Sequence, residues 1–284
     1  MIVVAGGTGS LGSRIVRGLR QRGRAVRVLA RPTSQADALR QAGAEIVLGD
    51  LKDPASLERA CSGASVVITT ASASRTGDDS IENVDVRGNQ NLIAAAEAAG
   101  VGQFVLISTL GAASDSPVPV FRAKGLSEER LRRGTMGFTI LQPNAFMDVW
   151  FPMLIEPAAF AGQPVTLVGE SRRRHSFVAE ADVAAFAIAA LGNPAAENQT
   201  LPIGGPEPLT LRQVVQAYEE ALGRPIAIRS VAPGDPIPGL PEPIWGLAAA
   251  LESFDSPLPM EELSRRFGVR LTSGREFVQS RRAG

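Results

Sequence analysis

The sequence predicts a doubly wound α/β protein, a parallel sheet with helices on both faces, followed by a smaller C-terminal α+β lid. Short β-rich runs alternate with longer helical patterns through the first half of the chain. Those runs are almost wholly apolar, as in Val66-Val67-Ile68, which suits strands buried on both faces, and the first run passes straight into a glycine-rich turn that opens an amphipathic helix. With 284 residues, 44% hydrophobic and 20% charged, the chain has apolar material for one large core or two unequal ones.

Strands are expected at residues 2–5, 25–29, 44–48, 65–70, 103–108 and 137–141. Between the first two, Leu11, Ile15, Val16 and Leu19 recur at helical spacing and Gly23 stops the helix. A long helix is expected from about residue 79 to 99, ended by Gly100, and another over 121–133. Six strands with their crossovers fill a doubly wound sheet. Beyond Pro143 the texture changes. Prolines recur at 152, 157, 164, 194, 202, 206 and 208, and helical patterns remain at 182–191 and 211–222, with strand candidates at 165–168, 200–203 and 226–231. The expected division is a sheet domain over 1–155 and a lid over 156–284, with residues 179–192 returning to the sheet. No internal repeat is visible.

Composition excludes several classes of function. Basic and acidic residues balance at 29 each, and no run of like charge is longer than Arg172-Arg173-Arg174. Nucleic acid and anionic membrane surfaces are therefore not expected as main partners. One cysteine, Cys61, and one histidine, His175, leave no disulfide and no Cys/His metal cluster. The longest apolar stretches, 183–191 and 244–251, are well short of the roughly 18–20 residues of a membrane-spanning helix. The first residues lack a secretory leader, so a cytoplasmic location is expected.

The turn Gly6-Gly7-Thr8-Gly9-Ser10-Leu11-Gly12 joins the first strand to the first helix. Glycines there allow a tight turn and a close backbone approach, and the helix N-terminus presents N–H groups and a positive dipole end to an anion. This is the fingerprint of a Rossmann dinucleotide site, and it puts Gly6, Thr8, Gly9, Ser10, Leu11 and Gly12 on a diphosphate. The second strand runs out in Ala30-Arg31-Pro32, without the acid that commonly binds the ribose 2′-hydroxyl of NAD. Arg31 offers a planar fork suited to a 2′-phosphate, so NADP(H) is the expected cofactor. Asp50, in Gly49-Asp50-Leu51, reads equally as an acceptor for the adenine amino group or as a turn former. Leu51 and Ala71, after the third and fourth strands, belong to the expected cofactor-binding set.

Lysine is scarce. Of the 29 basic residues only Lys52 and Lys124 are lysines, and a lysine among arginines suggests a site that needs a compact ammonium. Lys124 falls near the start of the helix after the fifth strand, beside the carboxyl ends of the strands, where ligands of such sheets bind. Lys52 follows Asp50 in a turn and reads as solvated.

The turn at 4–12, the segment Asp85-Val86-Arg87-Gly88-Asn89-Gln90-Asn91, the strand Phe104-Val105-Leu106-Ile107-Ser108-Thr109 and Gln142-Pro143-Asn144-Ala145-Phe146-Met147 together resemble an atypical short-chain dehydrogenase/reductase of the NmrA-like group. That group contains NADPH-dependent quinone and isoflavone-type reductases, redox-sensing regulators and assembly factors. The resemblance runs from residue 1 to about 230. It implies that Ser108 lies near the nicotinamide, that Lys124 contacts its ribose, and that Pro143, Asn144 and Phe146 shape the nicotinamide pocket.

One departure matters. The superfamily's proton donor is the tyrosine of a YxxxK pattern, four residues before the lysine; counted back from Lys124 that position is Val120, next to Phe121, and neither carries a hydroxyl. The chain's single tyrosine, Tyr218, sits in a helical pattern of the lid and reads as packing, so a Tyr-Lys relay is excluded by inventory. Sugar-nucleotide epimerase chemistry, which relies on the same tyrosine, is weakened with it. Phe121, Phe146, Met147 and Trp150 are candidates for an apolar wall or for plain core. His175, in a basic loop before a short strand at 176–178, is a poor general acid because neighbouring cations disfavour its charged form. Two readings survive. In one, Lys124 and Ser108 support hydride transfer from NADPH to an aromatic, quinone-like or conjugated carbonyl acceptor. In the other, the chain binds NADP(H) without turnover as a sensor or scaffold. The sequence leaves oligomeric state open.

Overall fold

Runs rich in Val, Ile and Leu form strands because branched side chains pack well on a pleated surface covered from both sides. The computed structural model describes residues 1–73 and 79–282. Its strands are β1 (Ile2–Ala5), β2 (Val26–Ala30), β3 (Glu45–Leu48), β4 (Val66–Thr69), β5 (Gln103–Ile107), β6 (Gly137–Pro143), β7 (Val165–Val168), β8 (Gln199–Ile203) and β9 (Ile228–Val231). Seven of them form one sheet in the order β3-β2-β1-β4-β5-β6-β8, and β1 to β6 pair in parallel. The order reverses between β1 and β4, the switch point at which open α/β sheets bind ligands.

The chain divides into two compact units. The first comprises Met1–Pro143, Val183–Pro202 and Arg266–Val269; the second comprises Asn144–Asp182, Ile203–Arg265 and the chain from Arg270 onward. In the first unit one face of the sheet buries Val3, Val67, Phe104 and Ile140 against Leu57, Cys61, Leu92 and Ile93. Burial pushes the Cys61 thiol up to about 11, which leaves it protonated and inert at neutral pH.

Three elements differ from expectation. The helix expected over 79–99 is two segments, a π-helical stretch Ile81–Gly88 and an α-helix Asn89–Ala98. The buried Asn89 amide donates to the carbonyls of Val84 and Asp85 at 3.4 and 3.2 Å, a side-chain bond inside the wider winding. The strand expected at 200–203 joins the large sheet as β8, because Asn198 pins it to the start of β6. Its N–H donates to the Phe138 carbonyl at 2.7 Å, and its side-chain oxygen accepts from the Phe138 N–H at 3.1 Å. The strand expected at 176–178 makes only isolated bridges, with Val178 beside Phe146.

In the second unit β7 and β9 pair in parallel beside a core of Phe151, Phe177, Tyr218 and Phe277. The Phe151 ring meets those of Phe177 and Phe277 edge-on at 5.2 and 5.5 Å. Tyr218 donates its hydroxyl to Glu156 at 2.7 Å, and Glu156 also receives Arg281 from the last helix, Gly274–Arg282, through two bonds of 2.8 Å. Burial, and then the Glu156 carboxylate, push the Tyr218 phenol far above its ordinary value.

His175 is buried in this unit rather than exposed in a basic loop. Its Nε2–H donates to the Leu251 carbonyl at 2.8 Å, and Nδ1 shares a 2.7 Å bond with the Ser256 hydroxyl. Burial lowers its pKa, so the folded chain binds this proton less readily than the unfolded chain, whose histidine titrates near about 6.5. Stability is therefore expected to fall as pH drops through about 6.5 toward the depressed folded value. Urea unfolding at pH 7.5, 6.5 and 5.5 checks this: the loss on acidification should be smaller in His175→Gln than in the parent chain.

Candidate active site

Gly6 has φ of +76°, a conformation that L side chains rarely adopt, and a Cβ there would meet Thr70 Oγ1 at 2.6 Å. The turn closes when the Gly9 N–H donates to the Gly6 carbonyl at 3.0 Å. Gly12 lies directly over the same carbonyl, where a Cβ would stand 2.2 Å from the Gly6 oxygen. The helix Ser10–Gln21 therefore starts hard against the turn. Its cap, Gly9, has no side chain to bond the first-turn amides.

These residues open onto a cleft of about 290 Å³ within the first unit, lined by Gly6, Thr8 and Gly9 and continued by Arg31, Asp50, Leu51 and Ala71. Seven residues of the expected cofactor set thus share one wall-to-wall space. Ser10, Leu11 and Gly12 form the first helical turn next to it. The glycine turn, with Gly6 and Gly9 in the cleft wall, fits a diphosphate, and Arg31 stands at the end of β2 where the adenosine ribose of such a ligand belongs.

Asp50 and Lys52 have further partners, and the other expected residues lie outside the cleft lining. Asp50 closes its turn by accepting the Lys52 N–H at 2.9 Å, and it also faces the cleft, so its two readings are compatible. Lys52 is not simply solvated: its Nζ donates to Asp79 at 3.1 Å and lies 3.8 Å from Asp50. Asn144 and Phe146 belong to the second unit. There the Asn144 amide donates to the Ser256 carbonyl at 2.8 Å, and its oxygen accepts from the Ala145 N–H at 2.8 Å and lies 3.1 Å from the Ser256 hydroxyl oxygen. Met147 is core of that unit, with Trp150 packed against it. Pro143 ends β6 and is buried, and its carbonyl accepts from the Leu110 N–H at 2.9 Å.

Lys124 is buried on the helix Pro119–Arg132, one turn beyond Phe121. Its Nζ donates to the Ala71 carbonyl at 3.2 Å and lies 3.5 Å from Asp85. Burial lowers its pKa, against the opposing pull of the Asp85 carboxylate. Asp85, fully buried on the π-helical stretch, accepts the Ala73 N–H through Oδ2 at 2.8 Å. Its Oδ1 has no hydrogen-bond partner, so Lys124 is its compensating charge. The pair braces residues 71–73, which carry Ala71 and Ser72 into the cleft wall.

Ser108 is buried at the end of β5 and donates its hydroxyl to Glu128 at 2.5 Å. Glu128 also receives Gln142 at 2.9 and 3.1 Å and Arg132 at 2.8 Å. The Ser108 proton therefore points into the protein, which leaves the hydroxyl oxygen as its available group. Sequence reasoning missed Asp79, Glu128 and the partnership of Lys124 with Asp85. Lysine scarcity had marked Lys52 and Lys124, but it carries no information on their partners.

Fold and cleft define a dinucleotide-binding α/β protein. The chain matches the family described as NAD(P)H-binding over residues 6–194. It belongs to that family, within the NmrA-like group of atypical short-chain dehydrogenases/reductases. It is 34% identical over 226 residues to the NAD(P)H azoreductase of Xenophilus azovorans, covering 80% of this chain and 75% of that protein. It is 32% identical over 230 residues to the photosystem II assembly factor Ycf39 of Synechocystis sp., covering 81% and 70%. Triphenylmethane reductase of Citrobacter sp. shares the fold with a TM-score of 0.84 at 22% identity, over 100% of this chain and 99% of that one. Among the described residues, no helix is long and apolar enough to cross a membrane.

The Gly12 contact is backbone on backbone, so no side chain can yield. Gly12→Ala is expected to lower stability by about 1–3 kcal/mol, the scale of overpacking. It should also abolish dinucleotide binding, as read by thermal melting and calorimetry.

Proposed function

We propose that this chain is an NADPH-dependent reductase that delivers hydride to a quinone-like or conjugated carbonyl acceptor without a tyrosine proton donor. One observation carries the reading: a glycine turn seated on a helix N-terminus shares its cleft with Arg31 at the end of β2, where NAD binders commonly keep an acid. NADPH, when bound, supplies the hydride. Gly6, Gly9 and the first turn of the helix would hold its diphosphate, Arg31 its 2′-phosphate, and Asp50, Leu51 and Ala71 would flank its adenosine. An acceptor whose developing charge spreads over a ring needs little help from a general acid. Water or the Lys124 ammonium, whose pKa burial has already lowered, then suffices. The names of relatives support this reading: one is an NAD(P)H azoreductase, and a quinone oxidoreductase of Escherichia coli that shares the fold is NADPH-dependent.

A second reading, a non-catalytic NADP(H)-binding sensor or assembly factor, draws on a specific observation. The Lys124 ammonium is held by Asp85 and Ala71, and the Ser108 proton by Glu128. Relatives that are assembly factors agree with it.

Calorimetry should show NADPH binding more tightly than NADH, and Arg31→Ala should weaken NADPH by about tenfold, the scale of one charge-assisted bond. Equal or tighter NADH binding contradicts the role given to Arg31. With a panel of benzoquinones and naphthoquinones, NADPH oxidation is expected in the parent chain and within about twofold of it in Tyr218→Phe, since a packed phenol donates no proton. Tight binding with no turnover on any acceptor would select the second reading. Lys124→Met should slow turnover by at least about tenfold, in the lower range of acid–base contributions. The double variant Lys124→Met/Asp85→Asn, which removes both charges, separates the roles: recovery of rate marks Lys124 as a brace, and continued loss marks its ammonium as a participant.

A further inference from the structure

The acid missing from the end of β2 is supplied from another part of the chain. Asp79 lines the same cleft as Arg31, Ser34 and Asp50, and both oxygens of its carboxylate are engaged by cations. Oδ2 accepts from Arg31 Nη1, and Oδ1 accepts from Lys52 Nζ at 3.1 Å. The Asp79 side chain is only 8% exposed, whereas Arg31 and Lys52 keep 45% and 33% of theirs. The carboxylate therefore sits inside a pair of cations that reach toward solvent. Arg31 ends β2 and Lys52 follows β3, its neighbour in the sheet, so the backbone brings the two cations together and Asp79 closes the group.

We infer that Asp79 sets how strongly this chain discriminates NADP(H) from NAD(H), because its carboxylate holds the seat between Arg31 and Lys52 that a ribose 2′-phosphate would take. This rests on the cofactor reading above. A phosphate monoester carries a charge of about −1.5 to −2 and three acceptor oxygens, so it outbids one carboxylate for two cations. It must nevertheless displace Asp79 from them or lie against its negative charge. A ribose 2′-hydroxyl meets no such competition, since it can donate to the carboxylate where it stands. Asp79 thus narrows a preference that Arg31 and Lys52 create, and Lys52 becomes the second half of the anion seat.

The probes are 2′,5′-ADP and 5′-ADP, which differ by the 2′-phosphate alone, titrated by calorimetry into the full chain. Asp79→Asn is expected to tighten 2′,5′-ADP by about fivefold, the scale of a partly exposed ion pair, while 5′-ADP is unchanged or weaker. Lys52→Met keeps the buried acid and is expected to move the other way, weakening 2′,5′-ADP by about fivefold with 5′-ADP unchanged. Melting curves show that each variant is folded. If the parent chain prefers 2′,5′-ADP and loses that preference in Arg31→Ala, yet Asp79→Asn leaves the ratio of the two affinities within twofold or lowers it, this inference is wrong and the cofactor reading stands. An unchanged ratio in Lys52→Met removes Lys52 from the seat and overturns the two-cation arrangement. A parent chain that binds neither fragment, or binds both alike with no effect of Arg31→Ala, overturns the cofactor reading and this inference together.

Discussion

The first unit depends on one close approach, that of the Gly12 backbone onto the Gly6 carbonyl. Because neither residue carries a Cβ, the first helix can start against the end of β1, with its N-terminus next to the cleft. Around this contact the sheet sets the rest in place. The ends of β2, β3 and β4 bring Arg31, Asp50, Leu51 and Ala71 to the same opening. A dinucleotide with its diphosphate on the helix end would extend along these strand ends, and each functional residue would follow from its position at the end of a strand.

A second constraint is that buried charges must be compensated. Asp85, with no exposed surface, carries a carboxylate oxygen that no hydrogen bond satisfies, and the Lys124 ammonium stands against it. Removing either partner alone would strand a charge in a low-dielectric interior, which is why the pair acts as a unit. The Ser108–Glu128–Arg132 group follows the same rule, and there too a polar side chain at a strand end is committed inward. The first of these commitments braces residues 71–73 beside the cleft, and both would limit the proton traffic available to any acceptor. The same physics therefore accommodates a reductase that asks little of general acid catalysis and a nucleotide binder that asks none.

Legibility in the sequence followed the range of the interactions. The parallel strands β1 to β6, the glycine turn and the stop at Gly23 were readable, because apolar runs, helical spacing and glycine punctuation are local signals. The lack of a usable tyrosine was readable as inventory, since no fold creates a side chain. The π-helical winding at 81–88 was not, because it involves Asn89 bonding carbonyls of its own turn against an α-helical background. The placement of residues 199–203 in the large sheet was not either: a five-residue strand fits many edges, and Asn198 selects this one.

By itself, then, the sequence determined the fold class, the glycine turn and the absence of a Tyr-Lys relay, all of which reside in residue identities and short spacings. Only the tertiary structure decided the charge partnerships: Lys124 with Asp85, Ser108 with Glu128, and Asp79 between Arg31 and Lys52. Those partners are 39, 20, 48 and 27 residues apart along the chain. Coulombic and hydrogen-bonding forces act across a few ångströms of space, and no local pattern records which distant segments the sheet will bring within that reach.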